Sequence, residues 1–258
     1  MSNQPNPVSP VAPSATHWHY PTTRTPDDSF YRDYQTAYAA NIAMADARDE
    51  RTQTAPLQNV LEREHVERRS MAGVGIESQA SFAAVLNKAY AGNAMADPQK
   101  FLQSLSMQEM EALRINHGLA DSINAGQLSK EGASNLLLPA GYSVDLNHDG
   151  LEEVGAGRIM HFPPRDAPAG FVTKWQEATA NMDPGDEMTY CFEMHAAIFG
   201  FHIDEQTPPP HLASDKMESY RAAITNLLEN LEMSKHLNTP EWYEKNKAFY
   251  SQLQALIA

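Results

Sequence analysis

The sequence predicts a mainly α protein: a helical domain with one small β-hairpin, at about 142–162, and an extended amino-terminal arm. Three observations predict it. Apolar residues recur at intervals of three and four over most of the 258 residues. Helix-capping residues, often followed by proline or glutamate, precede those stripes. Only residues 136–164 abandon helical spacing, and there prolines, Gly141 and irregularly spaced apolar residues take over.

The arm is residues 1–26, with six prolines and one charge, Arg24. Proline lacks an amide donor and restricts its neighbour, so an extended, loosely attached segment is expected. Its "HWHY" cluster, His17–Tyr20, is the one feature suited to anchoring. Residues 27–71 form amino-terminal helices. In the first, Phe30, Tyr34, Tyr38 (or Ala37), Ile42 and Ala45 share one face. Pro56 starts "PLQNVLEREHVERRS", a helix so charged that a solvated face is expected. "AGVGIES", residues 72–78, reads as a hinge, and residues 78–258 as the main helical domain containing the hairpin.

Within that domain Phe82, Val85, Leu86 and Ala89 define a helix ending near Gly92. Asp97 and Pro98 open the next. Ser106 with Glu109 makes a capping box for a helix that Gly118 interrupts. Ser129 caps a short helix with Glu131 in its first turn. After the hairpin region, Phe171 and Trp175 lie on one helix, and Asp183 and Pro184 open another. The stripe Met217, Tyr220, Ile224, Leu227, Leu228 and Leu231 defines a third. Thr239 and Pro240 open the last, with Trp242, Phe249, Leu253 and Leu256 expected inside.

Composition narrows function. With 42% hydrophobic and 20% charged residues the chain is globular. A net charge of −14 disfavours nucleic acid and anionic membrane faces, and suits cations or a basic protein partner. The single cysteine, Cys191, excludes an intrachain disulfide. No apolar run approaches the roughly 20 residues of a membrane helix, so membrane insertion is not expected. The arm lacks the features of a classical signal peptide, which leaves the cytoplasm or leaderless export.

Two stretches could carry chemistry. His195 and His202, seven residues apart, lie on a helical face with Met188, Phe192 and Phe199, and Glu193, Asp204 and Glu205 are near in sequence. A metal-dependent, hydrolase-like site could be built from them, helped by His161 or His211. Packed, hydrogen-bonded histidines are the plainer reading.

The other stretch is "VDLNHDGLEEVG", residues 144–155. Asp145, Asn147 and Asp149 place oxygen-bearing side chains at alternate positions, and Gly150 permits a sharp turn, as a hard cation requires. The first half resembles an EF-hand loop, but the twelfth position, where a bidentate Glu belongs, is Ala156. The pattern is closer to the calcium loops of FG-GAP (integrin-type) repeats, which join two strands and end at the ninth position. That resemblance covers Asp145–Glu153 alone. It implies side-chain ligands Asp145, Asn147, Asp149 and Glu153, with the Leu151 carbonyl as a backbone ligand. The alternative is a hairpin turn in which "NHDG" supplies positive backbone angles.

The expected function is a non-catalytic binding or assembly protein with one structural calcium ion and a protein partner. The alternatives are the His195/His202 enzyme and a leaderless secretion-system substrate.

Overall fold

Where the sequence offers a cap, a helix begins. Asp27 accepts the amides of Ser29 and Phe30 ahead of α1, Asp28–Ala45. α2, Thr54–Leu61, and α3, Arg63–Met71, follow, and then α4, Ile76–Ala91. Asp97 caps α5, Pro98–Gln103. Ser106 and Glu109 cap α6, Met107–His117, reciprocally, and Gly118 ends it at φ 69°. Ser129 caps α7, Lys130–Asn135. The strands β1, Leu151–Val154, and β2, Gly157–Met160, form an antiparallel pair with Leu151 opposite Met160 and Val154 opposite Gly157. Then come α8, Ala169–Thr179; α9, Pro184–Phe199, capped by Asp183; α10, Met217–Met233; and α11, Pro240–Leu256, capped by Thr239. These elements belong to a computed structural model that describes residues 26–45, 54–139, 141–200 and 212–258. The arm up to residue 25, with its "HWHY" cluster, and His202, Asp204, Glu205 and His211 lie outside the described residues. The fold is mainly α with one two-stranded hairpin. No helix among the described residues is long and apolar enough to cross a membrane.

Two hydrophobic cores divide the chain. The first gathers α1 through α7 and ends with Val154 of β1; the second runs from Phe162 through α8–α11 to Ile257. The packing therefore divides the chain at the hairpin. At 72–78, where the sequence suggests a hinge, Leu57, Val60, Leu61 and Val66 share a core with Phe82, Val85 and Leu86. A short, charged helix pair buries little on its own, so it folds onto α4.

The sequence reads residues 56–70 as one solvated helix. In the structure Glu62 breaks it into α2 and α3 at φ 67°, and the turn sends His65 and Val66 inward. Trp242, expected inside, is 41% exposed, and Tyr243, 1% exposed, takes its place. The tyrosine hydroxyl donates to Glu232, so its polar tip is satisfied at the core edge.

His65 stacks on Phe82, with ring centroids 5.3 Å apart, and His117 meets the same ring edge-on at 5.2 Å. Burial depresses both histidines, to about 3 for His65 and about 4 for His117, and Arg69 adds to both. Both are therefore neutral in the folded protein, while the unfolded chain protonates them near 6.5. As pH falls below about 6.5 the unfolded state binds more protons, and stability declines until the folded values are reached. His65, 3% exposed, should contribute up to about 1.4 kcal/mol per pH unit in that window. In urea melts at pH 7 and pH 4.5, His65→Phe should reduce the loss measured for wild type; an unchanged loss would assign acid sensitivity elsewhere.

Candidate metal site

The loop at 145–150 is built from short local bonds. Gly150 N donates to Asp145 Oδ2 at 2.9 Å, Asp149 N to Asn147 Oδ1 at 3.0 Å, and Leu151 N to Asp149 Oδ1 at 2.8 Å. Asn147 Nδ2 also donates to Asp149 Oδ2 at 3.1 Å. Each side chain folds back on an amide one turn ahead, which is why Asn and Asp at alternate positions make this bend. His148 and Gly150 take the positive angles, φ 56° and 77°.

The loop is not the hairpin turn. That turn is Gly155–Ala156, with Gly155 at φ 61°, so "NHDG" precedes β1 and does not connect the strands. The loop is also not flanked by two strands. In place of an entry strand, the Asn135 side chain takes Val144 N on Oδ1 at 2.7 Å. Its Nδ2 donates to the Val144 and Glu153 carbonyls at 2.8 and 2.7 Å. One amide side chain does the work of a ladder neighbour, so Val144 needs no partner strand.

Glu131, 4% exposed on α7, supports the bend from below. It accepts Leu146 N and Glu153 N, each at 2.8 Å. Burial raises its carboxyl, the charges of Asp145 and Glu153 add to that, and the two amides oppose it. Burial also raises Asp145, aided by the Asp149 charge and opposed by the Gly150 amide.

The sequence-expected ligands separate into two groups. Asp145, Asn147 and Asp149 share one bend. Asp145 Oδ1 is buried there without a hydrogen-bond partner, the kind of orphaned oxygen a bound cation would satisfy. Glu153 is engaged elsewhere: Ser129 Oγ donates to Oε2, and Arg158, its cross-strand neighbour, donates to Oε1 at 3.1 Å. Pairing with a strand residue holds it on the hairpin. Leu151, whose carbonyl was the expected backbone ligand, is the first residue of β1. Among the described residues no three His, Cys, Asp or Glu side chains converge as a metal set.

The loop and hairpin form the seam between the cores. Gly150 fits against α9: a β-carbon there would lie 2.5 Å from Phe199 Cδ2 and 2.7 Å from His195 Nε2. His195 Nε2 stands 3.1 Å from the Gly150 carbonyl and donates to it. Glu152, 5% exposed, forms a two-pronged ion pair with Arg165, whose Nη1 donates to the Gly141 carbonyl at 2.9 Å. The residues at this junction that sequence reasoning missed are Glu131, Asn135 and Arg165. Glu131 was legible only as a first-turn residue of a short helix, Asn135 only as a polar side chain beside the apolar run "LLL", and Arg165 only as an arginine between prolines and Asp166, and each pattern reads equally well as surface.

His195, the described half of the histidine pair, is 7% exposed against the loop and Phe199. The helical face it was expected to share is divided. Met188 and Phe192 are 67% and 51% exposed, because the loop covers only the end carrying His195 and Phe199. Cys191 is buried, its thiol pushed up to about 12 by burial and by Glu187, which suits a packing residue.

Comparison with protein-family models, with characterised proteins and with solved structures finds no match for this chain.

Proposed function

We propose that this chain is a non-catalytic binding or assembly protein whose two helical cores are tied at a calcium-stabilised seam. The observation that carries this reading is Asp145 Oδ1, a buried carboxylate oxygen with no hydrogen-bond partner, in a loop that contacts α9 of the second core. Asp145, Asn147 and Asp149 would hold the ion, with water completing its shell. Bound calcium would neutralise carboxylates whose charges oppose one another and stiffen the bend that meets His195 and Phe199. Support for a non-catalytic role is that His195 is spent on a backbone carbonyl, and the Cys191 thiol is buried.

With few carboxylates and Glu153 committed to Arg158, calcium should bind weakly, with Kd on the order of 10⁻⁴–10⁻³ M. At 10 mM calcium, mass action then stabilises the folded state by roughly 1–3 kcal/mol. A calcium titration of thermal melting should raise Tm by several degrees, and magnesium should do much less, since it demands tighter octahedral geometry. Asp145→Asn should remove the response, while Glu153→Gln should retain it. No shift at 10 mM calcium would reduce the loop to a structural turn.

A further inference from the structure

A cavity of about 540 Å³ opens where the start of α1 meets the α2–α3 junction, Pro139 and Tyr142. Asp27, Asp33 and Glu62 line it together with Phe30, Tyr34 and Tyr142. Among the described residues no basic side chain lines it and none of the three carboxylates takes part in an ion pair. The rings form a consolidated wall: Phe30 and Tyr142 lie 4.4 Å apart, and Tyr34 is anchored by donating to the Ala83 carbonyl at 3.1 Å.

Glu62 is placed here at a conformational cost. Its backbone sits at φ 67°, ψ 146°, a region that glycine tolerates and glutamate does not. The Tyr142 hydroxyl donates to its carboxylate at 2.6 Å and keeps it at the cavity wall. A residue chosen only for the break between α2 and α3 would be glycine. The side chain at this strained position is an acid beside aromatic rings.

We propose that this cavity receives an arginine side chain from a partner protein. A guanidinium matches the lining in two ways: it makes paired hydrogen bonds to carboxylates, and it stacks flat on aromatic faces. Lysine offers only a compact point charge and matches the rings less well. The chain's net charge of −14 favours approach of a basic segment. The proposal goes beyond the calcium reading and does not depend on it.

The test titrates the isotopically labelled full chain, in chelator and low salt, with the capped peptide Gly-Ser-Arg-Ser-Gly and its lysine and citrulline counterparts. The arginine peptide should shift resonances of Phe30, Tyr34 and Tyr142 and bind at least tenfold more tightly than the citrulline peptide. Lysine should fall between them, and 0.5 M salt should weaken arginine binding at least tenfold, as screening requires. Glu62→Gln keeps an acceptor for Tyr142 and should weaken binding at least threefold; Glu62→Gly, which relieves the backbone, should weaken it while leaving Tm unchanged or higher. Absent binding, equal binding of citrulline, or wild-type affinity in a Glu62→Gln, Asp33→Asn double variant would overturn the proposal. So would binding that appears only after Arg24→Gln, since the cavity would then belong to the chain's own arm.

Discussion

Gly150→Ala should destabilise the protein by about 3 kcal/mol or more, although it adds a single methyl group. Two independent terms combine. The residue sits at φ 77°, where an L side chain costs roughly 1–2 kcal/mol. The added carbon would also lie 2.5 Å from the Phe199 ring and 2.7 Å from His195 Nε2, in a contact that cannot open without separating the loop from α9. Overpacking of this kind costs typically about 1–3 kcal/mol. For a chain of this size the sum corresponds to a fall in Tm of roughly 6–12 °C. Phe199→Leu in the same chain should recover the share of the packing cost that the ring imposes and leave the His195 contact and the backbone part. A Gly150→Ala protein that melts within 1 °C of wild type would show that the loop and α9 are not in tight contact.

Arg165→Met should have a comparable effect through charge. Glu152 is 5% exposed and Arg165 supplies its paired donors, so removing the guanidinium leaves a buried carboxylate uncompensated and the Gly141 carbonyl without a donor. Breaking one side of a buried pair costs about 3–5 kcal/mol, whereas replacing both partners with apolar groups is often close to neutral. Urea unfolding should therefore show a loss of about 3 kcal/mol or more for Arg165→Met and recovery of most of it in Glu152→Leu, Arg165→Met. If the double variant is no more stable than the single one, the pair does not act as a unit.

Much of the local structure could be read directly. The capping box at Ser106 and Glu109, the Asp97–Pro98, Asp183–Pro184 and Thr239–Pro240 starts, and the Gly118 stop all act over three or four residues, within the reach of a sequence pattern. The bend at Asp145–Gly150 was equally legible, because each of its bonds joins residues two to five apart. The strand assignment around it was less so. Whether "NHDG" or Gly155–Ala156 turns the hairpin depends on which register pairs Glu153 with Arg158, and both turns carry suitable residues. Of the expected ligands, Glu153 lies apart from the bend for the same reason: a cross-strand arginine and Ser129 hold it.

From sequence alone came a mainly helical chain, the capped starts of several helices, its acidic net charge and a polar bend with oxygen side chains at alternate positions. These follow from local hydrogen bonding, periodic burial and net charge, none of which needs the rest of the molecule. Only the tertiary structure decided that the chain divides into two cores at the hairpin, that the bend lies between them, and that Glu62 is held at a cavity wall. Those outcomes rest on contacts such as Tyr142 with Glu62, His195 with Gly150, and Arg165 with Glu152, which join residues 80, 45 and 13 apart. No local pattern marks which polar residues meet across such distances, because the choice is made by the packing of whole helices and by the cost of leaving a buried donor or acceptor unpaired.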